Sequence, residues 1–323
     1  MSRLLTQRTG ALMAAAMAAL ALAACSTSAA GDKAAPAAAG TRTITDASGA
    51  SVTVPIAPKN VVALAETDLD AALALGVTPV GASKARQGNT VAGYLAGKLP
   101  QVKLVGEITE PNIEAIASLN PKPDVILYGH FLDPNPAQLK DLNAIAPTVV
   151  TSLVASDWKA SLKGVANALN LDAKATEVLT AYDQKVAATK TAIAANGSAS
   201  VSLVRWNPQG PTYLQKQHFA STIVAELGLK RPQAQQTDGT GPSKPVSLEK
   251  LDTLDGDYIF LGTLNNDGTA ALEQAKKNAS WNQLAAVKAN KVVAVDGVPW
   301  TSRGGPIAAG IVLDDLTKTL GKA

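Results

Sequence analysis

The sequence predicts an α/β fold of two similar α/β lobes joined by a single long helix. Three observations predict it. Short apolar runs alternate with helix-period segments on both sides of the chain's middle. The middle itself, residues 156–196, holds no proline and a single glycine, so nothing in it forces a turn. Finally, a unit recurs. PNIEAIASLNPKPDVILYG at 111–129 returns as PVSLEKLDTLDGDYIFLG at 245–262, each with a Glu ahead of a Leu, then Asp, then an apolar run ending in Gly.

The elements follow in order. TRTITDASGASVTVP (41–55) alternates around Gly49 and reads as a hairpin. NVVALA is a buried strand, DLDAALALG a helix closed by Gly76, and TPVGAS the next strand. PNIEAIASL is helical, with Asn112 at its N-cap and Ile113, Ile116 and Leu119 on one face. DVILYG (strand), PAQLKDLNAIA (helix) and PTVVTS (strand) complete the first lobe. Apolar residues Val178, Leu179, Tyr182, Val186 and Ile193 keep a helical period through the middle. Its last ~24 residues would reach roughly 36 Å, which suits a strut between lobes. Beyond it come SVSLVRW (strand), STIVAELGL and SLEKLDTL (helices), DYIFLG (strand), NQLAAVKA (helix), KVVAVD (strand) and a terminal helix in GPIAAGIVLDDLTKTLG. ALALGVTP in the first lobe corresponds to VAELGLKRP in the second. The expected organisation is a signal segment at 1–24, a tether at 25–41, lobes at 42–165 and 198–323, and the connecting helix at 166–197.

Composition narrows the function. With 323 residues, 46% apolar and 17% charged, the chain can bury two cores and is not a disordered one. A net charge of +3, part of it from Arg3 and Arg8, leaves no nucleic-acid footprint. Arg3 and Arg8 precede TGALMAAAMAALA, an apolar stretch of signal-peptide length. Leu22-Ala23-Ala24-Cys25 resembles a bacterial lipobox, which implies that Cys25, the chain's one cysteine, becomes a lipidated first residue. STSAAGDKAAPAAAG then reads as a flexible tether, and function lies outside the cytoplasm. Without a second cysteine, packing rather than disulfides must hold the fold.

In open α/β sheets ligands sit beyond the carboxyl ends of the strands. That rule singles out Glu66, Thr67 and Asp68, then Lys84 and Arg86, then Tyr128, His130 and Phe131. In the second lobe it singles out Arg205, Trp206 and Tyr213, then Trp300 and Arg303; Trp158, opening a helix after a strand, is a further candidate wall.

PKNVVALAETDLDAALALGVTPVG, VGEITEPNIEAIASLNPKPDVILYG, LNAIAPTVV and WNQLAAVKANKVVAVDGVPWTSRGGPIAAGIVLDDL occur in one order over residues 55–320. The set resembles the periplasmic-type substrate-binding proteins of ATP-driven iron–siderophore and cobalamin uptake, and is most similar to the ferric hydroxamate group. The resemblance implies a lipid-anchored carrier that holds a ferric siderophore between its lobes and hands it to membrane permease subunits. Glu114 and Glu249 match the two surface glutamates that, in that family, meet arginines of the permease. A siderophore satisfies its iron with its own oxygens, so no protein metal ligand or cofactor is expected. Aromatic faces and arginine donors are. One departure stands out: related hydroxamate binders often carry an Arg where this chain has Ile108, so Arg86, Arg205 or Arg303 must replace it, or the ligand class differs.

Other classes fare worse. A zinc or manganese carrier needs converging His and carboxylates, yet only His130 and His218 exist. Haem is the stronger rival, with His130 or Tyr128 as axial ligand, and cobalamin would share the fold and the docking glutamates. No G-x-S-x-G, P-loop or G-x-G-x-x-G motif supports an enzyme.

Overall fold

A computed structural model describes residues 40–86, 88–99, 101–129, 135–153 and 157–322. The signal segment, Cys25, most of the tether, His130, Phe131 and Ser156, the first residue of the proline-free middle, lie outside them. The described chain opens with strands β1 (Thr41–Thr45) and β2 (Ser51–Pro55), an antiparallel hairpin in which Thr41 faces Pro55. Asp46 organises its turn by accepting from the Ser48 and Ala50 amides (2.9 and 3.0 Å), and its other oxygen takes the Val150 amide at 3.1 Å.

The first sheet contains β3 (Val61–Ala63), β4 (Gly81–Ala82), β5 (Lys103–Leu104), β6 (Val125–Gly129) and β7 (Thr148–Ser152). They pair in the order β5-β4-β3-β6-β7, all parallel. Between them run α1 (Glu66–Ala74), α2 (Gly93–Ala96), α3 (Ile113–Ala117) and α4 (Pro136–Asn143). Every residue of β3, β6 and β7 is buried, as a parallel sheet covered on both faces requires. Asn112 caps α3 by accepting from the Ala115 amide at 2.9 Å, the role the sequence assigns it. Asn135 caps α4, with Pro136 in the first turn where a missing N–H costs nothing.

The expected single strut is two helices, α5 (Trp158–Leu169) and α6 (Asp172–Ala192). Asn170 breaks them by adopting a left-handed conformation (φ 60°), which asparagine tolerates better than other non-glycine residues. The 21 residues of α6 span about 30 Å. Its buried positions are Ala175, Tyr182 and Thr189, one narrow stripe at heptad spacing. Tyr182 and Lys159 converge on Glu226 at 2.6 and 2.9 Å, tying both helices to α7 (Phe219–Glu226).

The second sheet contains β8 (Val201–Asn207), β9 (Gly210–Tyr213), β10 (Tyr258–Thr263) and β11 (Val292–Ala294) in the order β11-β10-β8-β9. Only β9 runs antiparallel, returning from β8 by a tight turn that has no counterpart among the expected elements. Its helices are α7, α8 (Asn266–Ala275), α9 (Ala279–Gln283), α10 (Ala285–Lys288), α11 (Gly297–Thr301) and α12 (Pro306–Leu320). Residues 248–254, expected as an α-helix, wind as a 3-10 turn kinked at Lys250. The expected helix at 282–289 is split at Leu284. The Asp255 carboxylate accepts from the Ala285 and Ala286 amides (2.6 and 3.1 Å) and so starts a new helix there. α12 lies along α6, joined by Lys185–Asp314 (2.7 Å) and Thr317–Thr189 (3.1 Å).

Candidate functional site: an arginine-lined crevice between the sheets

The carboxyl ends of β3, β4 and β6 open onto a crevice lined by Ala65, Glu66, Thr67, Arg86, Ile108 and Gly129, facing Ser302 and Arg303 from beyond α11. Its volume is about 20 Å³, room for about one water molecule. The first lobe meets the second through α1, whose opening turns carry three buried carboxylates. Asp68 accepts from the Gly129 amide (2.7 Å) and the Thr151 hydroxyl (2.5 Å), holding the ends of β6 and β7. Asp70 accepts from the Ile307 and Ala308 amides at 2.8 and 3.0 Å and from the Tyr94 hydroxyl at 2.9 Å. It therefore caps α12, whose own N-cap is Gly305, from the other lobe. A Cβ on Gly305 would stand 2.7 Å from Asp70 Oδ1, so glycine is what lets the carboxylate approach. Burial outweighs these hydrogen bonds and pushes both aspartates up to about 6. Glu66 spans the crevice itself. Oε1 accepts from the Arg86 amide at 2.8 Å, and Oε2 from the Ser302 hydroxyl at 2.9 Å; burial raises this carboxyl too.

Three guanidinium groups gather around Glu66. Arg205, on β8, is 9% exposed and donates from Nε to Thr301 Oγ1 at 3.2 Å. Burial, then the positive charges of Arg86 and Arg303, bring Arg205 down to about 10. Arg303 is also lowered to about 10, by burial and then by Arg86, with Glu66 acting the other way. His218 is buried behind them. Burial and the charges of Arg205 and Arg303 hold it well below its ordinary value, so its ring is neutral. Such a cluster stores mutual repulsion that an anionic group in the crevice would relieve.

The sequence-derived candidates separate into two groups. Arg86, Arg205 and Arg303 come together. The tryptophans and tyrosines among the candidates do not join them, and His130 and Phe131 lie outside the described residues. Trp300 is 1% exposed, stacks on Phe260 (4.8 Å, 14°) and donates from Nε1 to Asp315 at 2.8 Å, which makes it core rather than pocket wall. Trp206 packs edge-on to Trp281 at 5.7 Å on the opposite face of β8 from Arg205, because successive strand residues alternate. Trp158 packs against Tyr182 of α6 at 4.7 Å, where an amphipathic helix places its apolar face. Tyr128 is buried in the first lobe's core and donates to Gln138 on α4. Tyr213 lines a separate groove with Gln215 and Lys250. Position 108, where an arginine is missing, does line the crevice, as Ile108. Ser302 and the buried Asp70 escaped sequence reading: a serine beside an arginine carries no signal, and the partner amides of Asp70 lie more than 230 positions away.

Glu114, in the first turn of α3, and Glu249, in the 3-10 turn, are both exposed and engage no partner among the described residues. Among those residues no cluster of His, Cys, Asp and Glu could hold a metal ion, and no helix is long and apolar enough to cross a membrane.

A probable siderophore-binding lipoprotein of Bacillus subtilis is 36% identical over 311 residues, 93% of this chain and 94% of the relative. The iron(3+)-hydroxamate-binding protein of the same organism is 31% identical, covering 85% of each chain. Among solved structures, Staphylococcus aureus SirA in complex with staphyloferrin B superposes with a TM-score of 0.74 at 28% identity, over 87% of this chain and 98% of that one. The periplasmic binding protein family matches residues 61–299. With its two α/β sheets, its helical connection and a crevice at the strand ends between them, this chain belongs to the periplasmic binding protein family.

Proposed function

We propose that the protein is the substrate-binding component of an ATP-driven importer, capturing a ferric siderophore, expected to be a hydroxamate, and delivering it to a membrane permease. Arg86 and Arg303 lining one inter-lobe crevice, with the buried Arg205 close enough to feel the charge of both, carry this reading. Chelating oxygens keep formal negative charge while bound to iron, and a guanidinium donates to them without competing for the metal. The names of the relatives point the same way. A siderophore needs hundreds of cubic ångströms, so the lobes must part to admit it. Lipidated Cys25 would hold the protein on the outer side of the cell membrane, with Glu114 and Glu249 presented to the permease from separate lobes. The role is carriage, not catalysis.

The test is a titration of tryptophan fluorescence with ferrioxamine, ferrichrome, a ferric tris-catecholate, ferric citrate, haem and cobalamin. Saturable binding of a ferric chelate, weakened at least tenfold in Arg303→Met, is expected. Binding of haem or cobalamin alone would overturn the ligand assignment and leave the importer role standing.

A further inference from the structure

Glu66 is a carboxylate in a site otherwise built to attract anions. It is 5% exposed, lines the crevice, and is held from the first lobe by the Arg86 amide and from the second by the Ser302 hydroxyl. Its charge acts on Arg205 and Arg303, and it is the acid that lines the crevice. Asp68 and Asp70, further along the same helix, are spent on β6–β7 and on α12. Resting on the proposed siderophore-binding role, we propose that Glu66 is the site's built-in counter-ion and sets its preference for ligand charge, so that a neutral ferric complex binds without proton exchange while a net-anionic one binds with one proton taken from solvent onto Glu66.

The charge balance gives the reason. Ionised Glu66 offsets part of the charge of Arg86, Arg205 and Arg303, leaving a site that accepts a ferric trihydroxamate of zero net charge. A trianionic chelate brings further negative charge against Glu66, where little water is present to screen it. The cheapest response is protonation. The carboxyl is prepared for it, since burial already raises it and Ser302 can turn its hydroxyl to accept the new proton. Of the other titratable neighbours, Tyr94 is tied to Asp70 and held well above its ordinary value and His218 is held far below, so neither changes charge near neutrality; Asp68 and Asp70, each raised to about 6, do titrate in that range and are told apart from Glu66 by Glu66→Gln, which keeps both.

The experiment is isothermal titration of the full-length protein in detergent, in buffers of different ionisation enthalpy, with ferrichrome as the neutral probe and a ferric tris-catecholate as the anionic one. Wild type should take up close to one proton with the tris-catecholate and none with ferrichrome, and its tris-catecholate affinity should rise as pH falls from 8 to 6. Glu66→Gln keeps an acceptor for the Arg86 amide and loses the charge. It should bind the tris-catecholate about tenfold or more tightly, without proton uptake on residue 66, so that the ratio of tris-catecholate to ferrichrome affinity rises about tenfold or more over wild type. Equal proton uptake in wild type and Glu66→Gln, or an equal loss of both ligands, would overturn the proposal by reducing Glu66 to a brace. Failure of every chelate to bind wild type would instead overturn the siderophore-binding role beneath it.

Discussion

Replacing Arg205 by methionine tests whether the crevice holds its charge at a cost to the fold. Arg205 is nine-tenths buried and lowered from its ordinary value to about 10, first by burial, then by Arg86 and Arg303. A tenfold change in a protonation equilibrium is worth about 1.4 kcal/mol, so keeping this guanidinium charged at neutral pH costs the ligand-free fold about 3 kcal/mol at most. Its one direct hydrogen bond to Thr301, at 3.2 Å, returns about 1 kcal/mol. Methionine fills a similar volume and carries no charge, so Arg205→Met should stabilise the ligand-free protein by about 1–2 kcal/mol, seen as a rise of a few degrees in Tm. The same change should weaken a ferric chelate at least tenfold and remove most of the thermal stabilisation that ligand confers on the wild type. Arg205→Lys separates charge from geometry, since lysine keeps the charge and cannot donate in a fork. A variant that lost stability while binding as before would refute the reasoning, making Arg205 a structural residue and leaving Arg86 and Arg303 to hold any ligand.

Three further outcomes are expected. Trp300→Ala should cost about 3–5 kcal/mol in urea unfolding, through the lost stack on Phe260 and the lost bond to Asp315, while the fraction that remains folded binds ligand within about threefold of wild type. Asp68 sits at about 6 in the fold against 3.8 for a free carboxyl, so its contribution is fully present below about pH 4 and is lost as pH rises through about 6. The stability of Asp68→Asn relative to wild type should accordingly climb by up to about 3 kcal/mol between pH 4 and 7, and a flat difference would deny that burial raises this carboxyl. Changing both Glu114 and Glu249 to Ala should abolish uptake of iron complexes by cells and leave ligand affinity unaltered, because both side chains are exposed and lie outside the crevice lining.

Much of this protein was legible in one dimension, and the particular failures show where that ends. Buried parallel strands such as 125–129 and 148–152 announce themselves as apolar runs, and the N-cap at Asn112 by its place ahead of an amphipathic turn. The break at Asn170 and the split at Leu284 were not legible, one resting on a single left-handed residue and the other on Asp255 reaching amides 30 and 31 positions on. The tryptophans misled for a related reason. Proximity to a strand's carboxyl end says where a loop goes, but the alternation of the strand and the face of the helix decide which way a side chain turns, and Trp206 and Trp300 turn inward.

The sequence by itself determined the two-lobed α/β plan, and it singled out the three arginines and the glutamates at 114 and 249 as candidates, because periodicity, capping residues and strand-end position are local properties of the chain. Only the tertiary structure decided that Arg86, Arg205 and Arg303 meet, that Glu66 stands among them, and that Asp70 caps a helix of the opposite lobe. Those relations join residues up to 238 positions apart, and their strength comes from shared burial, which no short stretch of sequence contains.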